Sequence, residues 1–219
     1  MSVTDYLDRL AQISHQWHPD DMAAARLEYF RQYGSVHESE ELYEEILKAF
    51  MDHYIFERPV PATNVTPLRE LVDQIDEQWP DEEAGIYRGF LSARRSLYQI
   101  TKVRHDGVTL KDLFTGEKIE VTEEVPSGFF KGETWEARVL PFGEHFVFGE
   151  LLRFHPKRPE KLIAQWAKQI GHPDNAAARA LMRRLSLAKL KHTRFPRVDP
   201  LDFYRAAEHE PRPGVAETK

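Results

Sequence analysis

The stretch from Gly107 to Glu150 alternates apolar and polar residues between glycine-containing turns, and it constrains the fold more than any other part of the chain. Asp106-Gly107, Thr115-Gly116 and Phe142-Gly143 provide turn chemistry, because glycine lacks a Cβ and adopts positive φ without a clash. Between the turns, apolar residues recur at every second position, as they do in half-buried strands. These residues are Val108 and Leu110, Ile119 and Val121, Trp135, Ala137 and Val139, and Phe146 and Phe148.

Helical patterns stand on both sides of this stretch. Before it, apolar residues recur every three or four positions behind N-cap residues such as Ser2, and Pro19 and Pro59 interrupt the pattern. After it, helical patterns cover 160–170, 174–191 and 200–207. The sequence therefore predicts an α+β protein. Its predicted parts are an N-terminal helical region (1–95), a central small antiparallel β-barrel-like module (96–157) packed on those helices, a basic helical segment (158–207) and a flexible tail (208–219).

We expect the sheet and the helices to share one hydrophobic core, because aromatic residues cluster around the β module. The strand residues of this predicted core are Trp135, Val139, Phe146 and Phe148, and its helix residues include Tyr54, Phe56 and Phe90. The second helix is expected to bury Met22, Leu27, Phe30 and Tyr33.

Composition narrows the class of protein. The chain has 219 residues and no cysteine, which excludes disulfides, thiolate nucleophiles and cysteine-ligated zinc. No window approaches the length of apolar sequence that a membrane span needs, so no membrane partner is expected. The N-terminus lacks the basic and continuous apolar regions of a secretory signal. A soluble cytoplasmic protein is the interpretation that these features favour.

Charge is distributed unevenly along the chain. Residues 1–87 carry 19 acidic and 6 basic side chains, whereas residues 153–197 carry 12 basic and 2 acidic ones. One interpretation is that the acidic front and the basic back attract each other within a single fold. The other is a basic face that binds a polyanion or an acidic partner, since clustered Lys and Arg raise the local affinity for phosphate. The residues that would form this face are Arg179, Arg183, Arg184, Lys189, Lys191, Arg194 and Arg197.

Four segments carry a resemblance to a known family: Phe56–Pro59, Ser96–Tyr98, Leu110–Glu117 with Val121, and Lys131–Pro141. In order, spacing and residue type they resemble a group of uncharacterised bacterial proteins that often end in a SEC-C zinc-binding motif. The resemblance covers roughly residues 48–157. A SEC-C tail needs cysteine ligands, which this chain lacks, so the resemblance implies a fold and no zinc site or catalytic residues.

The remaining polar motifs are explained by structure rather than by chemistry. Asp112 and Thr115 are placed to close a hairpin by accepting bonds from turn amides. His15 and His18 have one-turn helical spacing, which is compatible with a metal pair, but no third ligand stands nearby. Arg94-Arg95 resembles half of a PilZ-type nucleotide-binding signature, with the second arginine at the wrong spacing. We find no nucleophile elbow, HExxH or phosphate-loop motif.

The sequence therefore predicts a non-enzymatic cytoplasmic binding or adaptor protein with an unidentified protein partner and no cofactor or metal. The alternative is a nucleic-acid- or ribosome-associated protein that uses the basic C-terminal segment. An enzyme of a family without a recognisable motif is a third hypothesis.

Overall fold

The computed structural model describes residues 1–122 and 128–207, and within them it contains eight helices and a five-stranded mixed sheet. The helices are α1 (Val3–Trp17), α2 (Pro19–Tyr33), α3 (Tyr43–Phe56), α4 (Pro67–Asp73), α5 (Asp81–Phe90), α6 (Glu160–Ile170), α7 (Ala176–Arg194) and α8 (Pro200–Ala206). The strands are β1 (Arg94–Arg104), β2 (Gly107–Asp112), β3 (Lys118–Thr122), β4 (Thr134–Phe142) and β5 (His145–His155). The α+β class is confirmed, and the predicted tail 208–219 lies outside the described residues.

The predicted turns join the strands. Arg104 pairs with Gly107 and Phe142 pairs with His145, so each of these hairpins has a two-residue loop. Gly116 has φ of 80°, the left-handed conformation that glycine adopts most readily. Asp112 Oδ1 accepts from the amides of Phe114 and Thr115 at 2.8 and 3.0 Å. This Asx-type turn is the structural role predicted for Asp112.

The strands pair in the order β1-β2-β3-β5-β4, and β4 returns to pair with β1, so the sheet closes on itself. The prediction of an entirely antiparallel module is wrong, because β3 runs parallel to β5, with Val121 opposite Phe146. The reason is geometric. Directions can alternate around a closed ring only when the number of strands is even. With five strands, one neighbouring pair has to be parallel.

The single shared core that the sequence predicts is also wrong. Residues on the inner side of the sheet form their own cluster, which includes Ile100, Leu110, Val139 and Phe148 and no residue of any helix. Phe146 is 42% exposed and belongs to none of the clusters. Closure of the sheet explains the difference, because inward-facing side chains contact one another and cannot reach the helices outside.

The helices cover the outer side of the sheet in three groups. Leu140 and Val147 pack with α1, α4 and α5. Leu151 packs with α2 and α3, and Leu97 packs with α6, α7 and α8. Helix α2 buries Ala25, Tyr29 and Tyr33 at four-residue spacing. Leu27, expected in the core, lies off this face and is 64% exposed.

None of the described helices is long and apolar enough to cross a membrane.

Candidate functional site: an arginine-lined cleft

Charged residues on the outer side of β1, β4 and β5 are buried beneath the helices. Glu136 on β4 accepts from Arg95 Nε on β1 and from Arg153 Nη1 on β5, each at 2.9 Å. All three side chains are almost completely removed from solvent. Burial opposes ionisation of Glu136, but the charges of Arg153 and Arg95 outweigh it and lower its pKa to about 2. This carboxylate therefore stays charged and links three strands.

A second carboxylate, Glu57, lies just beyond the last residue of α3 and joins the same network. Its Oε2 accepts from Arg95 Nη1 at 2.9 Å, and its Oε1 accepts from Arg138 Nη2 at 2.6 Å. His53 Nδ1 lies 3.2 Å from Glu57 Oε2. Burial raises the pKa of Glu57, but Arg95, the His53 hydrogen bond and Arg138 together hold it well below the ordinary value.

Arg138 on β4 is fixed from three directions. Its Nε and Nη2 donate to the two carboxylate oxygens of Asp52 at 2.7 and 2.8 Å. Its guanidinium carbon stands 4.4 Å from the centre of the Phe56 ring, a cation–π distance. The third nitrogen, Nη1, has no hydrogen-bond partner in the part of the chain that the structure describes, although the residue is only 4% exposed.

A cleft of about 390 Å³ opens over this guanidinium. Its polar lining comes from His53, Glu57, Arg95, Arg138, Asp174 and Arg179. Arg179 is exposed, stands in the first turn of α7, and donates through Nη1 to the Asp174 carbonyl at 2.6 Å. The first turn of α7 contains no acidic residue. Its unpaired amides carry partial positive charge, which adds to that of the arginines.

Comparison with known proteins gives one finding. A family model described as a family of unknown function, DUF7986, matches residues 21–182, nearly three quarters of the chain. The chain belongs to the DUF7986 family. No curated protein and no solved structure matches it. The described residues that line the cleft, from His53 to Met182, all fall inside the DUF7986 match.

In this DUF7986 member the predicted basic residues do not form one stripe. By helix geometry, Arg179, Arg183 and Arg194 lie within about 60° of one another around α7. Lys189 points away from them, is buried, and forms an ion pair with Glu45 on α3. Arg194 donates through Nε to Glu40 at 2.7 Å. Lys189 and Arg194 thus contact the acidic N-terminal half, as the internal-docking interpretation predicts.

The other predicted basic residues are dispersed. Arg184 donates to the Ala207 carbonyl at 3.4 Å and is half-buried. Lys191 is exposed on the last turn of α7, and Arg197 is exposed just beyond the helix. Among all seven, only Arg179 lines the arginine cleft. Whether any of them binds a polyanion stays a prediction.

The histidine pair does not assemble a ligand set. His18 Nε2 lies 2.8 Å from Glu70 Oε2, and no group of three or more metal-ligating side chains is brought together within residues 1–122 and 128–207. His15 is exposed on α1.

Sequence reasoning missed the central residues of the DUF7986 cleft. Glu57 and Arg138 are 81 positions apart, and their contact cannot be deduced from local patterns. A signal was nevertheless present in the quoted motifs. Glu57 belongs to the segment Phe56–Pro59 and Arg138 to Lys131–Pro141, so the two segments that carry the family resemblance meet at this ion pair.

Proposed function

We propose that the protein is a non-enzymatic binding protein and that the arginine-lined cleft holds a small ligand through a phosphate or carboxylate group. The observation that carries the proposal is Arg138 Nη1. It is a charged donor on an almost fully buried side chain, held rigidly by Asp52, and it lacks a protein partner among the described residues. Guanidinium groups bind oxyanions in well-defined geometry, and this nitrogen belongs to a side chain that lines the cleft.

The surroundings of Arg138 Nη1 suit an anion. Arg179 brings a second guanidinium to the same cleft, and among the described residues only its Nη1 is engaged, by the Asp174 carbonyl. His53 lines the cleft as well, with Nδ1 turned to Glu57. An oxyanion placed between Arg138 and Arg179 would accept from both, and the adjoining N-terminus of α7 would favour its charge.

The same geometry favours binding over catalysis. A general base needs an available lone pair and a pKa near the working pH. Both oxygens of Glu57 are engaged by arginines, and its pKa is held well below the ordinary value. The described side chains that line the cleft include no serine, threonine or cysteine to act as a nucleophile.

The test is thermal unfolding in the presence of anions at constant ionic strength. Inorganic phosphate, sulfate and acetate are titrated separately, so that phosphate-like and carboxylate ligands are distinguished. Saturable binding should stabilise the parent protein by about 2.7 kcal/mol at one hundred times Kd. Arg179→Ala should abolish the shift. Arg183→Ala, one turn further along α7 and outside the cleft, should keep it. Equal shifts for both variants, or no saturable shift with any anion, would refute the proposal.

The second candidate function is binding of nucleic acid or of the ribosome by the C-terminal segment. It is favoured by the position of Arg179, Arg183 and Arg194 on one side of α7, with Arg197 just beyond it. Two observations count against it. Lys189 and Arg194 already contact Glu45 and Glu40, and the acidic N-terminal helices beside them would repel a polyanion.

Cellular setting and partners are proposals of the same kind. We propose a cytoplasmic protein with a protein partner, and the absence of cysteine supports an intracellular setting. The resemblance to bacterial SEC-C-associated proteins supports a bacterial origin. We also propose that the closed sheet is a small β-barrel. Its strand order supports this description, and β3 and β5 are paired at one position, Val121 opposite Phe146.

A further inference from the structure

The edge of β3 that faces β5 is only partly paired. In the pairing of β2 with β3, Asp112 N donates to the Glu117 carbonyl at 2.8 Å. Hydrogen-bonded and non-hydrogen-bonded pairs alternate along an antiparallel ladder, so the N–H and C=O groups of Ile119 and Val121 also face β2. Lys118 and Glu120 therefore present their amides on the opposite side. Among the described residues, strand β5 pairs with that side around Val121, opposite Phe146, through the backbone groups that flank Val121. The Lys118 end of the edge has no partner strand in the described ranges.

A groove of about 360 Å³ runs beside this open edge. The side chains of Ile119 and Val139, which belong to the sheet interior, line its base. Phe146 stands at its rim and is exposed. An open strand edge beside a groove is the arrangement by which sheets take up an extended peptide, because backbone hydrogen bonds give affinity and the groove accommodates side chains.

Charged side chains at the rim of this groove indicate which kind of peptide would fit it. Arg94 is bonded to Glu117 at 2.8 Å and Glu120 to Arg104 at 3.1 Å. Lys118 and Glu144 have no ion-pair partner among the described residues, and both are exposed. A bound segment would complement them with an acidic side chain near Lys118 and a basic one near Glu144.

We propose that this edge binds an extended segment of a partner protein, which adds as a short strand beside Lys118–Glu120. The segment places an apolar side chain against Phe146 and an acidic side chain near Lys118. This site is separate from the arginine-lined cleft, because the two share no lining residue. The two proposals can therefore fail independently.

A phage-displayed library of random 12-residue linear peptides, selected on the full-length protein, supplies the probe. Selected peptides are synthesised, and their affinities are measured by fluorescence anisotropy. Peptides with an acidic residue should lose at least tenfold in affinity for Lys118→Asp. The control Lys102→Asp, an exposed charge reversal on β1 outside the groove, should change affinity less than twofold. Glu120→Pro removes an amide from the open edge and should abolish binding.

Amide hydrogen exchange supplies a readout that does not depend on the folding of any variant. In the free parent protein, the amides of Lys118 and Glu120 should exchange faster than those of Ile119 and Val121, and bound peptide should protect them. The proposal is overturned if no selected peptide protects these amides, or if Lys118→Asp and Lys102→Asp weaken binding equally. Protection that rises with protein concentration alone would overturn it too, because the edge would then pair with a second copy of the chain.

Discussion

The two sides of the closed sheet are built from the same strands and differ completely in chemistry. The inner side is mainly apolar, with Tyr98, Ile100, Val139 and Phe148 among its members. The outer side of the same strands carries Arg95, Glu136, Arg138 and Arg153, which are equally buried because the helices cover them. Both sides exclude water. The inner side is held by the hydrophobic effect, whereas the outer side depends on pairing every charge.

This difference determines how each side responds to change. An apolar core loses free energy roughly in proportion to the atoms removed. A buried ionic network depends on its full set of partners, because one missing carboxylate leaves its cations desolvated and unpaired. The outer network also connects parts of the chain that are distant in sequence, including α3, β1 and β4. We therefore expect it to hold the helices in register on the sheet.

The largest expected effect comes from Glu136→Gln. Loss of this charge leaves Arg95 and Arg153 without their shared counterion and should lower the free energy of unfolding by about 3–5 kcal/mol. Denaturant unfolding measures the change. Glu120→Gln, an exposed residue on β3, is the control and should stay within about 0.5 kcal/mol of the parent. A loss below about 1 kcal/mol for Glu136→Gln would mean that the outer side tolerates unpaired charge as a solvated surface does.

Acid should act on the outer side of the closed sheet through a buried histidine. His155 at the end of β5 is completely buried, with Nδ1 at 2.9 Å from the Tyr204 hydroxyl. Burial lowers its pKa to about 3 from an ordinary 6.5. Below pH 6.5, His155 binds a proton in the unfolded chain but stays neutral in the folded protein. The contribution of His155 to the free energy of unfolding is therefore fully present above that pH and is lost as the pH drops towards 3.

The measurement is the free energy of unfolding between pH 7 and pH 5, a range above the ordinary pKa of carboxylates. His155 should contribute a slope that approaches roughly 1.4 kcal/mol per pH unit. His155→Gln removes this slope, whatever it does to stability at pH 7. His105→Gln is the control, because that side chain is 93% exposed, and it should leave the slope unchanged. Identical slopes in parent and His155→Gln would show that His155 takes up its proton in the folded state.

The contrast between the two sides also shows what could be predicted from the sequence. Turns at Asp106-Gly107 and Thr115-Gly116 depend on local backbone chemistry, and they were predicted at the right positions. The parallel join of β3 and β5 depends on closure of the whole ring, which no local pattern encodes. Alternation along β4 was recognised, but the local pattern gave no sign that its polar positions are buried. Glu136 and Arg138 are instead covered by helices, because their partners come from distant segments.

For the candidate site, the limit was of the same kind. Composition drew attention to basic residues between 179 and 197, and of these only Arg179 reaches the arginine-lined cleft. The buried members, Arg95 and Arg138, lie in strands and add nothing to a charge cluster in the sequence. The segments that carry the family resemblance include Glu57 and Arg138, but the resemblance did not indicate that these two residues contact each other. Their hydrogen bond forms only when the fold brings the two segments together.

The smallest expected effect concerns the exposed side of α7, where a substitution breaks no buried ion-pair network. Arg183 is half-buried, Arg197 is exposed, and neither contacts the acidic N-terminal helices through an ion pair among the described residues. The double charge reversal Arg183→Glu and Arg197→Glu should therefore change the free energy of unfolding by no more than about 0.5 kcal/mol per site.

If this surface binds nucleic acid, the parent should bind a 20-nucleotide single-stranded RNA at low salt. Its log–log salt slope should be about 0.7 per phosphate contacted, and the reversal should remove the binding while the protein stays folded. Lys189→Ala is the informative contrast, because Lys189 is buried against Glu45 and should affect stability without entering the RNA contact. RNA binding that Lys189→Ala weakens and the double reversal leaves intact would contradict this division between a docked and an exposed side of α7.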